Sequence, residues 1–235
     1  MKSDINIWIT GDTHGGLDID KIKSKNWKES KHLSKSDYLI ILGDFGFLWE
    51  SRSDKTEKYW LNWLDKQNWT TLFIDGNHEN HIRLERLEKV DMLGSKVGKV
   101  TDSIYHLRRG EVYTIADSTF FCFGGATSTD RKDRLEYVDW WKQEVPTENE
   151  LKYGFNNLSK HEYKVDYLLF HTIPTIIHNK IPHKKSKAYL NDPTCKMLDE
   201  IYKRTTFKKG FSGHFHLDYE IDNWSVLYDR VVKIK

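Results

Sequence analysis

The sequence predicts an α/β fold in which two mixed β-sheets pack face to face with helices on their outer sides. Three observations carry this. Short apolar runs end abruptly in polar residues, most of them with glycine: INIWIT before GDTHGG, YLIIL before GDFG, TLFI before DGNHEN, and DYLLF before HTIP. That is the punctuation of strands feeding loops. Helical spacing fills the gaps between the first three runs, so the strands there are joined by crossovers and are parallel. From about 102 onward the pattern becomes SIYHL, EVYTI and STFFCF with little between them, which predicts an antiparallel meander.

In chain order, the clearest helix is 54–67 (DKTEKYWLNWLDKQ), where Tyr59, Trp60, Trp63 and Leu64 would form one apolar face and Asp54 would cap. The stretch 126–146 (ATSTDRKDRLEYVDWWKQEVP) reads as a long loop leading to a helix at about 147–158; long loops in compact domains often serve function. Near the end, DYEI and WSVLYD flank Asp222 and Asn223 as a hairpin.

With 235 residues, 38% of them hydrophobic, and no linker-like tract, the chain is expected to form a single domain over 1–235. No apolar run approaches the roughly 18 residues of a membrane span. MKSDINIWIT lacks the layout of a signal peptide, so a cytoplasmic protein is expected. Lys plus Arg (37) nearly balance Asp plus Glu (35), which gives no general case for a polyanionic partner. The basic clusters at 183–187 (HKKSK) and 208–209 read as solvated surface. Cys122, in an apolar run, and Cys195, after a proline turn, make neither a disulfide framework nor a thiolate metal site.

Chemistry is expected beyond the carboxyl ends of the strands. There stand Asp12 and His14, then Asp44, then Asn77, His78 and Glu79, then His171, and finally His214 and His216 in GHFH. Singly, Asp12, Asp44 and Asn77 fit turns or caps and His171 fits a satisfied core histidine. Jointly, five strand ends finishing in oxygen and nitrogen donors point to a metal site. Alternate residues of an extended segment share a side, so His214 and His216 could act together. Such donors suit manganese first, with iron, zinc, nickel or cobalt also compatible. The number of ligands exceeds one tetrahedral site, so two ions are expected, with Asp44 as the bridge. Two ions about 3.5 to 4 Å apart clamp phosphate oxygens and acidify a bridging water for in-line attack. His78 is then the candidate general acid and Glu79 the candidate that holds it in place.

The ordered series GDTHG, GD, GNHE, H and GHFH, running from Ile7 to His216, resembles the calcineurin-like metallophosphoesterase superfamily, and the run FGGATSTDRKDR followed by WW and a Glu looks like its small capless members of bacteria and their viruses. The resemblance implies a four-layer αββα sandwich with a dinuclear centre. It also implies one ion on Asp12, His14, Asp44 and His216 and another on Asp44, Asn77, His171 and His214. Relatives acting on phosphoserine and phosphothreonine often read GDxVDRG at the second motif; this chain reads GDFGFLW, with Phe47 and Leu48 at the aspartate and arginine places. The double histidine of GHFH is instead similar to phosphodiesterases and nucleotidases. The expected function is therefore hydrolysis of phosphodiesters or nucleotides, with a protein serine/threonine or tyrosine phosphatase as the alternative enzyme. A noncatalytic metal-dependent binding module is the alternative of another class. Asn77, Arg131 and Arg134 could contact phosphate; the two arginines could equally pair with Asp130, Asp133 or Glu136 at the surface. Trp140 and Trp141 could stack a base, anchor the loop or form a dimer contact. Nucleic acid is a subordinate partner, since a broad basic groove is missing from the sequence.

Overall fold

The computed structural model describes residues 5–181 and 192–235; the basic cluster at 183–187 lies outside them. In chain order the elements are β1 (Ile7–Thr10), β2 (Tyr38–Leu42), α1 (Lys55–Asp65), β3 (Thr70–Ile74), α2 (His81–Arg86), β4 (Glu88–Met92), β5 (Ser95–Lys99) and β6 (Ile104–Leu107). Then follow β7 (Val112–Ile115), β8 (Ser118–Phe123), α3 (Glu148–Lys160), β9 (Tyr167–Phe170), α4 (Thr175–His178), α5 (Pro193–Arg204), β10 (Lys209–Ser212), β11 (Tyr219–Ile221), β12 (Trp224–Val226) and β13 (Val232–Lys233).

Two sheets form, in the orders β13-β1-β2-β3-β6-β5-β4 and β11-β12-β10-β9-β8-β7. In the first, β1, β2, β3 and β6 are parallel, with antiparallel strands at both flanks. The second repeats the plan with β8, β9, β10 and β12 as its parallel centre. Period-two alternation within the apolar runs explains the layering. Ile7, Ile9, Ile40, Leu42, Leu72 and Ile74 face inward and meet Phe120, Cys122, Leu169 and Phe211 of the other sheet. Their neighbours Trp8, Leu39, Ile41 and Phe73 face outward onto Leu64 of α1 and Leu84 of α2. On the far side, Phe121, Phe123, Leu168 and Phe170 are covered by Leu151 and Leu158 of α3 and by Leu198 and Ile201 of α5. Each such buried side chain contributes roughly 1.5–3 kcal/mol. The four-layer αββα sandwich with two mixed sheets is what the sequence led us to expect.

Three expectations change in detail. The meander does not form: β6 pairs with β3 and β5 in the first sheet, while β7 and β8 form a hairpin in the second. The chain therefore changes sheets between Leu107 and Val112. Helix α1 is capped by Asp54, whose Oδ1 accepts from Glu57 N at 2.7 Å, but Tyr59 is 61% exposed. The stripe packed on the core runs through 57, 60, 61, 63 and 64, with 57 and 64 buried, and Tyr59 lies outside it. Finally, Pro193 is not in a turn before Cys195. It occupies the first turn of α5, Asp192 caps that helix, and Cys195 is buried within it.

Candidate metal centre

Parallel neighbours end on the same side, so the loops after β1, β2 and β3 emerge together. Those after β9 and β10 do so from the facing sheet. The site thus straddles the carboxyl ends of both sheets, as open α/β topology favours. The ligand atoms fall into three overlapping groups, each within 4.8 Å: Asp12, His14 and His216; His14, Asp44 and His78; and Asp44, His171 and His214. Asp44 belongs to two of them. His214 and His216 fall into different ones.

The donor chemistry fits cations. His171 Nδ1 donates to the Leu42 carbonyl at 2.7 Å, which turns Nε2 toward Asn77 Oδ1 at 3.1 Å and Asp44 Oδ1 at 3.2 Å. His14 Nδ1 donates to Asp18 Oδ2 at 2.6 Å, and its Nε2 faces Asp44 Oδ2 at 3.2 Å. His216 Nε2 lies 3.3 Å from Asp12 Oδ2. Acceptor atoms converging in this way need a shared positive charge, and a hydrogen-bonded outer nitrogen is the usual support of a metal-binding imidazole. In the metal-free protein a proton takes that place. Burial pulls the His171 imidazole down, yet the Asp44 and Asp12 carboxylates outweigh it and lift His171 to about 10. Burial likewise lowers His14, and Asp44 above all reverses this, to about 9. Burial alone would raise Asp12 and Asp44. The imidazoles overcome it, His216 foremost at Asp12 and His171 at Asp44, and hold both carboxyls below their ordinary value.

Backbone geometry brings these groups close. A Cβ on Gly76 would lie 2.1 Å from Asp44 Oδ1, and one on Gly213 would lie 2.2 Å from Asp12 Oδ1, so glycine is required in GNHE and GHFH. The chain also takes left-handed φ at His14 (41°), Asp44 (44°), His214 (67°) and His216 (47°). The two histidines of GHFH therefore do not share a side as members of an extended strand. They lie beyond β10 in a tight loop that delivers each to a different group. Such φ values at non-glycine residues are costly and concentrate at functional sites.

His78 stands at the edge of this cluster. Its ring stacks on Trp49 (centroids 5.6 Å apart, planes 28°), and Trp49 meets Trp141 edge-on at 5.1 Å. Arg134 Nη1 lies 3.5 Å from His78 Nδ1, and its Nη2 pairs with Asp130 at 2.8 Å. Burial lowers the His78 pKa and Arg134 adds to this, against the pull of Asp44. Glu79 does not hold His78. Its two oxygens accept from Gly46 N at 3.2 Å and Gly76 N at 2.6 Å, because the backbone turns between 78 and 79 and sends the carboxylate inward. Burial, then the Asp44 charge, push Glu79 up to about 8. It ties the second and third loops together. Arg131 is exposed on a short 3-10 turn (Arg131–Asp133) and does not line the cavity beside the cluster, whereas Arg134 does. Trp141 is buried and anchors the loop.

Several contributors escape sequence reasoning. Asn77 Nδ2 donates to Ser128 Oγ at 3.2 Å, and Ser128 donates twice to the buried Glu144 carboxylate, from N and from Oγ, both at 2.7 Å. That chain presents the Asn77 oxygen to the centre. Tyr228 stacks on His216 at 4.7 Å, and Lys21 donates to the carbonyls of Asp12 and Tyr228. The abundance of polar residues in 126–146 hinted at Ser128 and Glu144, and nothing hinted at Tyr228 or Lys21. Lys208 and Lys209 pair with Asp166 and Glu220 at 2.6 and 3.1 Å, as solvated surface. No helix among the described residues is long and apolar enough to cross a membrane.

A facing pair of mixed sheets whose strand ends bring imidazoles against buried carboxylates defines an α/β sandwich with a candidate metal centre. The chain belongs to the calcineurin-like phosphoesterase family, whose model matches residues 5–218. Among solved structures, it is similar to phosphopantetheinyl hydrolase from Mycobacterium tuberculosis, with a TM-score of 0.52 at 13% identity, covering 97% of this chain and 89% of that one. That likeness is one of fold. A comparison with curated proteins found no match. The family is dinuclear and metal-dependent and acts on phosphate esters, so the chain is a metallophosphoesterase.

Proposed function

We propose that this single-domain protein hydrolyses phosphodiesters or nucleotide-like esters with two divalent ions, manganese foremost, and with His78 as general acid. The supporting observation is the convergence of acceptor atoms from both sheets on Asp44, with His78 at the rim beside an open cavity. One ion would be held by Asp12, His14, Asp44 and His216, the other by Asp44, Asn77, His171 and His214. When bound, such a pair clamps phosphate oxygens and acidifies water.

The remaining work falls to the chain's own groups. As general acid His78 would act in its protonated form and be left as the neutral ring once the departing alkoxide has taken the proton; Asp44 favours that form, while burial and Arg134, 3.5 Å from Nδ1, work against it. Trp49 fixes the ring plane. Arg134 and the Asn77 amide border the space where phosphate oxygens would sit. Arg131 would join them only by moving in from the surface. Phe47 and Leu48, where protein phosphatases carry an aspartate and an arginine, are both buried, which disfavours the phosphoprotein reading. The buried, free thiols of Cys122 and Cys195 accord with a cytoplasmic setting.

The test compares a phosphodiester and a phosphomonoester sharing one chromogenic leaving group, on metal-stripped protein reloaded with manganese. Diester preference is expected. Clear monoester preference would redirect the reading to a nucleotidase or protein phosphatase, and loss of all turnover with metal retained would favour a binding module.

A further inference from the structure

A second cavity opens on the other side of His78. It has a volume of 440 Å³ and shares His14 and His78 with the metal centre, but its walls are Phe47, Trp49 and Trp60. The cavity on the first side, 360 Å³, is bordered by Ser128, Asp130 and Arg134. An ester held at the metal centre therefore has a polar space on one side and an aromatic cleft on the other.

The cleft is built around Trp60. The ring meets Phe47 at 6.3 Å and carries Lys23 Nζ 5.4 Å from its centroid. Gly16 lies so close that a Cβ there would sit 2.5 Å from Trp60 Nε1; the tryptophan and the GDTHGG loop are thus packed as one wall. Leu17, 84% exposed, forms the lip. The rim is acidic. Glu57 is neutralised by Arg83, at 2.6 and 2.7 Å, while Asp54 caps α1 and Glu50 stands exposed. Carboxylates at the mouth repel further phosphate, and flat apolar walls favour a flat apolar guest.

We propose that this cleft seats a planar aromatic group carried by the esterified alcohol of the substrate, and that Trp60 determines specificity for it. This rests on the phosphoesterase reading above. The arene packs on Trp60 toward the lip at Leu17, with the buried Phe47 closing the cleft behind it, and the uncharged end of the substrate is the end that lies here.

The test is calorimetric binding of phenylphosphonate and methylphosphonate to the manganese-loaded full chain, in wild type, Trp60→Ala and Trp60→Phe. Wild type should bind the phenyl compound about tenfold or more tightly, the order expected for burying one ring. Trp60→Ala should bring that ratio near one with methylphosphonate affinity unchanged, and Trp60→Phe should keep most of it. Equal affinities in wild type, or a ratio that survives Trp60→Ala, overturn the cleft assignment alone. If neither phosphonate binds, the phosphoesterase reading fails with it. A nucleoside 5′-phosphonate run alongside separates an arene next to phosphorus from a base beyond a sugar, according to which shows the larger Trp60-dependent gain. Should Trp60→Ala not melt cooperatively, Leu17→Ser at the exposed lip takes its place: a drop of about twofold or more in the ratio is expected, and an unchanged ratio overturns the proposal.

Discussion

Ser128→Ala removes the hydroxyl through which the buried Glu144 orients the Asn77 amide, and the structure fixes what should follow. Asn77 Nδ2 loses its 3.2 Å acceptor, so the amide can rotate and its Oδ1, 3.1 Å from His171 Nε2, no longer points steadily at the centre. Loss of such an outer partner weakens metal affinity about 10- to 100-fold, which is about 1.4–2.8 kcal/mol. The effect should be one-sided. In the proposed division of ligands Asn77 goes with Asp44, His171 and His214, whereas Asp12, His14 and His216 keep all their contacts. Isothermal titration with manganese should show one weakened site and one unaltered site. Glu144 keeps its bond from Ser128 N at 2.7 Å and loses only the hydroxyl, at roughly 1–3 kcal/mol of stability for an unmet buried acceptor, so a thermal melt must accompany the titration. Equal weakening of both sites would refute the division of ligands. Unchanged affinity at both would refute the orienting role of Ser128.

Three further outcomes are expected. His78→Ala should keep its metal, measured by elemental analysis, while turnover falls by roughly 10² to 10⁴; unchanged turnover would remove His78 as the acid. Gly76→Ala forces a Cβ to within 2.1 Å of Asp44 Oδ1, and should abolish binding of both ions and lower stability by roughly 1–3 kcal/mol, read by titration and melting. In metal-free protein, His14 and His171 are raised to about 9 and 10 in the folded state from an unfolded value near 6.5. Their pairing with Asp44 is fully present below about pH 6.5 and is lost as pH rises through 9 to 10. The melting temperature of stripped protein should fall across that window. His171→Asn should flatten the fall, and metal-loaded protein, whose imidazoles no longer titrate, should show little of it.

Much of the architecture was legible because the runs around Ile9, Ile40 and Leu72 are long, apolar and sharply ended, so their strands and the donors after them stand out. The hairpin of β4 and β5 was not, since EKVDM and SKVGK carry charges at half their positions and bury only Val97 and Gly98; an edge hairpin buries too little to leave an apolar pattern. Its turn at Leu93 and Gly94, both at positive φ, is visible only in the backbone. The meander misled because strand spacing does not record which sheet a strand joins. Ligands were readable from their place after a strand, but Ser128, Glu144 and Tyr228 reach the site from distant loops, and nothing local marks a residue whose partner is 51 positions away. Glu79 sits where a supporting acid would be sought, and only the turn of its backbone decides that it faces Gly46 and Gly76.

The arrangement of the two sheets also sets the order in which the centre can be completed. Apart from β13, the first sheet is made by residues 7–107 and the second by residues 112–226. During synthesis the leading half emerges with Asp12, His14, Asp44 and Asn77, one imidazole among oxygen donors, and the three remaining imidazoles arrive only with the trailing half. With the proposed ligands, ion capture would be a closing event in the life of the nascent chain, because a fragment ending near 110 would carry all three oxygen ligands, Asp12, Asp44 and Asn77, but only one of the four imidazoles. Uptake that resists a chelator would mark the moment at which the two halves have docked.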